Sequence, residues 1–408
     1  MKRTKLACYA TSATMAAAAY ISPMLFITFR NLYGISYTKL GLLVTVFFFT
    51  QLAVDLLFSF FSHKFNIKLT VKLTPVIAAL GLLLYSLAPT LFPNNVYLGL
   101  LVGTLVFSSA AGLGEVLISP VIAAMPSKDP DREMSKLHSV YAWGVVFVII
   151  VSTLFLLAFG DEKWQFLPIL FTVIPILSTI LFLGVKIPDM QTNERVSGAI
   201  SALKNKSLWL CVAAIFLGGA AEVVMAQWSS GYLEQALGIE KVWGDIFGVA
   251  MFGVTLGLGR SLYGKFGKNV TRVLLLGAIG ASACYLVAAL SSIRVAVLIA
   301  IALTGLCVSM MWPGSLVVAQ EYFPKGGVFI FAMMAAGGDL GASIGPQLVG
   351  IITDSVAGSE ALITIAETLM LSPEQLGMKI GMLFGAFFPL IAIFVYLYIH
   401  KSMKKGTV

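Results

Sequence analysis

Charged residues are scarce in this chain, making up 11% of its 408 residues, whereas soluble domains carry about 25%. A soluble fold of this length would need more polar surface than the sequence provides. The scarcity excludes a soluble enzyme, a nucleic-acid-binding protein and a disordered protein. Hydrophobic residues make up 59% of the chain, which suffices for about twelve membrane spans of ~20 residues each. Because the apolar runs are long and do not alternate, we predict a polytopic helical membrane protein rather than an outer-membrane barrel.

Sequence patterns for cofactors, metals and phosphate groups are missing as well. Four cysteines stand in apolar segments, without the spacing of a metal or redox site: Cys8, Cys211, Cys284 and Cys307. The chain has no Gly-x-x-x-x-Gly-Lys-Ser/Thr motif, so pumping driven by a nucleotide is not expected. No nucleophile or metal constellation indicates an enzyme. We therefore expect a non-enzymatic protein with no cofactor and no metal.

Long apolar runs dominate what is present, and charged residues or Pro, Asn and Gly separate twelve of them. The predicted spans cover residues 8–30, 39–62, 72–89, 95–125, 136–159, 164–185, 207–236, 244–264, 270–290, 294–320, 327–354 and 377–400. The longest polar interval divides the chain into an N-terminal six-helix bundle, a cytoplasmic linker and a C-terminal six-helix bundle: residues 1–185, 186–206 and 207–408. The predicted fold class is an all-α membrane protein with twelve transmembrane helices in two pseudo-symmetric six-helix bundles.

A second polar interval, from Ser355 to Gly377, holds three acidic residues: Glu360, Glu367 and Glu374. We expect a short helix at the membrane surface in this interval. The tripeptide Ser-Pro-Glu at residues 372–374 is typical of the start of a new helix.

The distribution of Lys and Arg predicts the orientation of the chain. When the loops are assigned alternately to the two sides of the membrane, one side carries 21 of the 27 basic residues and the other carries 6. Basic loops are retained in the cytoplasm. We therefore expect both termini to be cytoplasmic, in a multi-pass protein of the cytoplasmic (inner) membrane.

The two halves of the chain repeat. Residues 32–35, Leu-Tyr-Gly-Ile after the first span, match residues 236–239, Ala-Leu-Gly-Ile after the seventh. Gly and Pro are eight residues apart in the fourth span and again in the tenth, at Gly112/Pro120 and Gly305/Pro313. Two six-helix halves with internal repeats are typical of transporters that work by alternating access.

The chain resembles the major facilitator superfamily, whose members carry Gly-x-x-x-Asp-Arg/Lys-x-Gly-Arg/Lys-Arg/Lys between spans two and three. Residues 59–68 read Ser-Phe-Phe-Ser-His-Lys-Phe-Asn-Ile-Lys, and residues 260–268 read Arg-Ser-Leu-Tyr-Gly-Lys-Phe-Gly-Lys. The basic and Phe/Gly positions are kept, whereas His63 and Gly264 replace the family's acid. The resemblance implies a loop that controls the conformational change, with these residues: His63, Lys64, Lys68, Arg260, Lys265 and Lys268.

A narrower resemblance is to the fucose/galactose/glucose–proton symporters, in which span seven reads Gly-Ala-Glu-Val followed by a Trp and an Asn-Tyr. Residues 219–232 read Gly-Ala-Ala-Glu-Val-Val-Met-Ala-Gln-Trp-Ser-Ser-Gly-Tyr. They depart from that pattern by the extra Ala and by Ser-Gly before Tyr232. The resemblance implies a sugar as the substrate class.

Four acidic residues fall inside predicted spans, where ionisable groups are costly and are candidates for function: Glu222, Glu115, Asp339 and Asp55. A carboxylic acid in a low-dielectric site favours its neutral form, so it can load and release a proton. The span boundaries place no Lys or Arg mid-span to keep the four acids ionised. We predict that they couple transport to protons; the alternative is a hydrogen-bond network between helices.

Substrate contacts are predicted from polar and aromatic residues inside the spans, because aromatic rings stack on flat solutes and amides bind hydroxyl groups. Gln227 and Trp228 form the best pair, since they lie one to two turns from Glu222. The other candidates are Tyr141, Trp143, Trp312 and His138. Two alternatives remain open: the indoles of Trp143 and Trp312 fill gaps opposite glycines, and His138 forms an ordinary structural hydrogen bond or relays protons.

The predicted function is secondary active transport of a small organic solute by alternating access, as proton-coupled symport of a sugar or a related polar metabolite. The alternative is a proton-coupled antiporter that exports amphipathic drugs, which the 16 Met residues keep open. A membrane-embedded enzyme, a lipid flippase and a channel are disfavoured. The expected partners are the solute, protons and the lipid bilayer, with no nucleic acid and with the protein as a monomer.

Overall fold

The computed structural model describes residues 2–61, 64–126, 130–188, 204–266, 269–323 and 327–404, and every regular element within these ranges is helical. The helices are α1 Lys2–Met24, α2 Phe26–Tyr33, α3 Tyr37–Phe61, α4 Ile67–Ser86, α5 Ala88–Leu91, α6 Val96–Ala123, α7 Pro130–Phe159, α8 Phe166–Phe171, α9 Val173–Phe182, α10 Lys206–Leu237, α11 Lys241–Trp243, α12 Met251–Phe266, α13 Val270–Leu290, α14 Arg294–Val308, α15 Met311–Tyr322, α16 Gly327–Ala357, α17 Glu360–Thr368, α18 Pro373–Gly385 and α19 Phe387–Lys404. A π-helical segment, Gly244–Ala250, joins α11 to α12.

The described helices account for the twelve predicted spans. Nine are long and apolar enough to cross a membrane, and eleven if each of two bent helix pairs is counted as one span: α1 with α2, bent by 43°, and α16 with α17, bent by 84°. The twelfth is the shorter apolar stretch Phe166–Phe182. The protein is therefore an all-α membrane protein whose twelve transmembrane helices form two six-helix bundles, as predicted.

The interval after α16 contains the predicted short helix, α17. The next helix begins where the Ser-Pro-Glu pattern indicated. Ser372 accepts a hydrogen bond from the backbone N–H of Gln375, whose side chain accepts one from the Ser372 N–H, and Pro373 is the first helical residue. This reciprocal capping box satisfies two N–H groups that a helix start otherwise leaves unpaired.

The chain divides into two compact units: the first comprises Met1–Gly34 and Val46–Val196, and the second comprises Ile35–Thr45 and Ser197–Val408. Within the first unit, α1 packs against α7 and α9, and α4 packs against α6. Within the second, α10 packs against α16 and α19, and α13 packs against α14. The same pairs of spans therefore pack together in both units. Most of the predicted linker, residues 189–203, lies outside the described residues.

The matching Gly-Ile motifs after spans one and seven end their helices in the same way. Gly34 and Gly238 both adopt left-handed backbone conformations, with φ of 63° and 58°. Their N–H groups donate to the carbonyls of Arg30 and Glu234, respectively. A residue without a Cβ adopts this conformation at little cost, which explains why glycine occurs at both helix ends.

Candidate functional site

In the first unit, a glycine brings α3 and α6 together at two acidic residues. A Cβ on Gly112 of α6 would lie only 3.1 Å from the Cα of Gln51 on α3, so the helices approach closely at this level. Glu115 lies about one helical turn after Gly112 on α6. Its Oε2 accepts a hydrogen bond of 3.1 Å from Nε2 of Gln51. Asp55 lies a turn after Gln51, and its carboxylate has an oxygen within 4.8 Å of one on Glu115.

Asp55 and Glu115 form a close pair of carboxylates in the first unit, and Glu115 is only partly exposed. Asp55 is only 4% exposed, and two carboxylates so close in a poorly solvated site cannot both ionise cheaply. The sequence predicted both acids as individual candidates, and the structure brings them together.

In the second unit, Glu222 of α10 forms an ion pair with Arg260 of α12. Nη2 of Arg260 donates to Oε1 and Oε2 of Glu222 at 2.9 and 3.0 Å. The pair is only partly buried, with exposed side-chain fractions of 35% for Arg260 and 16% for Glu222. This contact corrects two interpretations of the sequence: a basic residue does lie inside a span beside one of the acids, and Arg260 belongs to α12 rather than to a loop.

Arg260 is also held by the break between α14 and α15. Its Nε donates to the carbonyl of Ser309 at 3.0 Å. The residue four positions on is Pro313, which has no N–H to offer that carbonyl in a helix. Because Pro313 cannot donate to the Ser309 carbonyl, this carbonyl is available to accept a hydrogen bond from the guanidinium of Arg260. The sequence signal for this break in the helix was the spacing of Pro313 from Gly305.

The predicted substrate residues are distributed over both units. Trp228 is buried, donates from Nε1 to the Pro346 carbonyl at 3.0 Å, and packs its ring against Tyr37 within the second unit. Gln227 beside it is buried as well. Trp143 on α7 is 66% exposed, and Tyr141 is half-buried.

The remaining tryptophan candidate packs against glycines of α10 and α16. A Cβ on Gly219 would lie 2.9 Å from the ring of Trp312, and a Cβ on Gly338 would overlap the same ring. The acidic candidate Asp339 follows Gly338 on α16 and is buried. His138 lies on α7, and its side chain is outside the described residues.

The predicted conformational loop is described only in part. Lys64 places its Nζ 5.0 Å from the ring centroid of Phe61, in a cation–π contact. Lys68 lies in the first turn of α4, and Lys265 lies on α12. His63 and Lys268 lie outside the described residues, as does the side chain of Lys265.

One ion pair, at the start of span eight, was not predicted from the sequence. Nζ of Lys241 lies 3.0 Å from Oδ2 of Asp245, which is fully buried in the π-helical segment. The same Nζ donates to Oγ of Ser230 on α10 at 2.8 Å. The spacing of four residues between a Lys and an Asp was the signal that could have identified this pair.

Comparisons with solved structures agree with this fold. A bacterial homolog of the human lysosomal transporter Spinster is 13% identical, with a TM-score of 0.74 over 98% of this chain and 97% of that one. A D-xylose–proton symporter is 16% identical, with a TM-score of 0.68 over 95% of both chains. The fucose:proton symporter of E. coli is 17% identical, with a TM-score of 0.59 over 96% of this chain and 98% of that one.

At these identities the likeness shows the fold alone. A sequence comparison with curated proteins finds no match. The model of the Major Facilitator Superfamily matches residues 7–346, which is most of the chain. The chain therefore belongs to the major facilitator superfamily of transporters.

Proposed function

We propose that the protein moves a small polar organic solute, a sugar or a related metabolite, across the cytoplasmic membrane together with protons. The observation that carries this proposal is the close pair Asp55–Glu115 of the first unit, in which Asp55 is buried and Glu115 is partly buried. A transporter that uses a proton gradient needs a group that binds a proton on one side and releases it on the other. Intramembrane acids that share a proton are suited to that task.

Gln51 can form a hydrogen bond with Glu115 whether the carboxyl group of Glu115 is ionised or protonated. Its NH₂ group donates to Glu115 in the observed contact, and an amide also carries a carbonyl that accepts hydrogen bonds. Loss of the shared proton adds a negative charge between α3 and α6. Two solved neighbours, a D-xylose–proton symporter and a fucose:proton symporter, support the choice of a sugar-like solute and of protons as the coupling ion.

The test is uphill transport in proteoliposomes containing the full chain, with D-xylose, L-fucose and the sugar acid D-glucuronate as probes and an imposed pH gradient. Glu115→Gln keeps the shape of the side chain but cannot ionise. We expect this variant to lose gradient-driven accumulation while it still exchanges labelled solute at equal concentrations on both sides. Glu367→Gln, in which the altered acid is exposed on α17, is the matched control and should accumulate solute normally.

Two results would contradict the proposal separately. If the unmodified protein accumulates none of the three probes in response to the gradient, the assignment as a proton symporter of a sugar or a related metabolite is wrong. If accumulation occurs and Glu115→Gln leaves its extent and pH dependence unchanged, the carboxylate pair is not the proton site.

A further inference from the structure

We infer that Arg260 binds the carboxylate of an anionic solute, and that Glu222 accepts a proton as it gives up its place on the guanidinium. This inference deepens the proposed function and rests on it. It narrows the solute from any polar metabolite to one that carries a carboxylate, such as a sugar acid. It also gives the ion pair of the second unit a role distinct from that of Asp55–Glu115.

The geometry of the Arg260–Glu222 pair would allow a solute carboxylate to bind Arg260 better than Glu222 does. Both oxygens of Glu222 accept from a single nitrogen of Arg260, Nη2. A guanidinium binds a carboxylate best through two parallel N–H···O bonds from two nitrogens. A solute carboxylate could form that forked pair on the Nη1–Nη2 edge. The partial exposure of both side chains provides access.

The guanidinium is anchored independently of Glu222. Its Nε bond to the Ser309 carbonyl at 3.0 Å remains when the acid leaves. Ser309 is fixed by the junction of α14 and α15, and its own hydroxyl donates to the Leu306 carbonyl at 2.7 Å. Arg260 is therefore held in place for a second anion, which reduces the conformational entropy that binding would cost.

Charge balance links the anion to the proton. In the observed state, the positive charge of Arg260 is balanced by Glu222. When the solute carboxylate takes over the guanidinium, Glu222 loses its counter-charge in a poorly solvated site, where the neutral acid is favoured. A proton from the solvent then binds a carboxylate oxygen of Glu222. One anion and one proton enter together, so each increases the affinity for the other.

Other titratable groups must be considered as acceptors of this proton. Within the described part of the chain, Arg260 is the charged group that contacts Glu222. The helices and the π-helical segment that pack against α10 carry these other acidic and basic groups: Asp339, Asp354, Glu321, Arg294, Lys241, Asp245, Glu374, Lys379, His400 and Lys401. Asp339 is the buried acid on the helix most extensively packed against α10, so Asp339→Asn is the control for the site of protonation.

The test is equilibrium binding to the purified full chain in detergent, which does not depend on transport. The probes are D-glucuronate and L-lactate, each compared with its uncharged amide, D-glucuronamide and L-lactamide, at pH 5.5 and 7.5. We expect at least one carboxylate to bind more tightly than its amide. Its affinity should rise by up to about tenfold for each unit that the pH is lowered, because only the protonated fraction is competent to bind. Binding should take up protons in unbuffered solution.

Variants separate the roles of the two residues. Glu222→Gln should keep the preference for the carboxylate, and lose both the pH dependence and the proton uptake. Arg260→Gln should lose the preference for the carboxylate over the amide. Lys379→Gln removes another partly buried cation of the same unit. This control should change neither the preference for the carboxylate nor the pH dependence of binding and its proton uptake. Melting temperatures of all variants verify that they are folded.

Three results would overturn the inference. The first is that no carboxylate binds more tightly than its amide at either pH. The second is that Arg260→Gln, folded, retains the preference. The third is that Glu222→Gln keeps the proton uptake while Asp339→Asn abolishes it. Failure of the proposed function looks different: the unmodified protein would accumulate none of the transport probes, or Glu115→Gln would accumulate solute normally, whatever the outcome of these binding measurements.

Discussion

At the residue scale, Trp228 combines a buried ring with one directed hydrogen bond. Its indole is 2% exposed, donates to the carbonyl of Pro346 and packs on Tyr37. Pro346 lies inside α16, where its ring removes one backbone hydrogen bond and loosens the helix. The sequence suggested Trp228 as a stacking surface for the solute. In this structure its ring and its N–H contact protein groups, so we also expect Trp228 to stabilise the fold; its contact with the solute stays a prediction.

We predict that Trp228→Ala lowers the melting temperature of the purified protein far more than Trp209→Ala. Removing a buried aromatic ring costs about 3–5 kcal/mol, whereas the side chain of Trp209 is 51% exposed. Thermal unfolding in detergent without added solute measures the difference. Trp228→Phe should lie between the two, since it keeps most of the ring and loses the hydrogen bond. Equal melting temperatures for both Ala variants would show that Trp228 does not stabilise the second unit.

The acidic residues of the site were visible in the sequence, whereas their partners were not. Asp55 and Glu115 stand out because charges are rare in apolar runs. That they form a pair depends on how Gly112 lets α6 approach α3, and a single sequence does not reveal which helices touch. Arg260 was assigned to a loop because it lies near the end of span eight, where boundaries read from hydropathy are uncertain by several residues.

At the scale of the element, small residues determine how closely α10 and α16 pack. A Cβ on Gly341 of α16 would overlap the carbonyl of Phe216, and a Cβ on Gly345 would lie 2.8 Å from Val224. In a membrane, where lipid tails are as apolar as leucine, such close packing is a main source of helix association. The helix that carries Glu222 is therefore positioned by glycines on its neighbour.

We predict that Gly341→Ala destabilises the protein, because the new methyl group meets backbone atoms that cannot rotate away. Overpacking of this kind costs typically about 1–3 kcal/mol. Gly358→Ala is the matched control, since the nearest atom to its Cβ is 3.4 Å away. Melting temperatures of the two variants in the same detergent provide the comparison. A Gly341→Ala variant as stable as Gly358→Ala would mean that the two helices are less closely packed than described.

Hydropathy was sufficient to predict the spans, since a helix that crosses a membrane needs about 20 apolar residues. It could not predict where spans bend. The break between α14 and α15 follows from Pro313, which is visible in the sequence, but the role of Ser309 depends on the contact with Arg260. The 84° turn between α16 and α17 had only indirect signals, the glycine at 358 and the acidic residues that follow it.

At the scale of the whole molecule, the internal repeat explains why corresponding helices pack alike in the two units. Gly112 of α6 lies against α3, and Gly305 of α14 lies against Phe252 and Thr255 of α12. These are the fourth and second spans of each half. The charges have diverged while the packing glycines remain: the first unit has a pair of acids at this level, and the second has an acid and a base.

The orientation of the molecule is the largest prediction that stays untested. The side that carries 21 of the 27 basic residues should be cytoplasmic, because basic loops are retained there. The test uses a variant in which the four native cysteines are replaced and single cysteines are introduced at Arg195 or at Ser292. Ser292 lies in the exposed connection between α13 and α14, which belongs to the opposite set of loops.

We expect a membrane-impermeant maleimide to label the cysteine of Ser292→Cys in intact cells, and that of Arg195→Cys only after the cells are permeabilised. The two variants act as controls for each other, because reversing the orientation would exchange their results. Labelling of both from outside would mean that one predicted span does not cross the membrane, since an odd number of spans between them separates the two loops. The orientation also determines the side of the membrane from which the proton gradient acts on Asp55–Glu115 and on Glu222. Import and export of the solute can therefore be distinguished only once the orientation is measured.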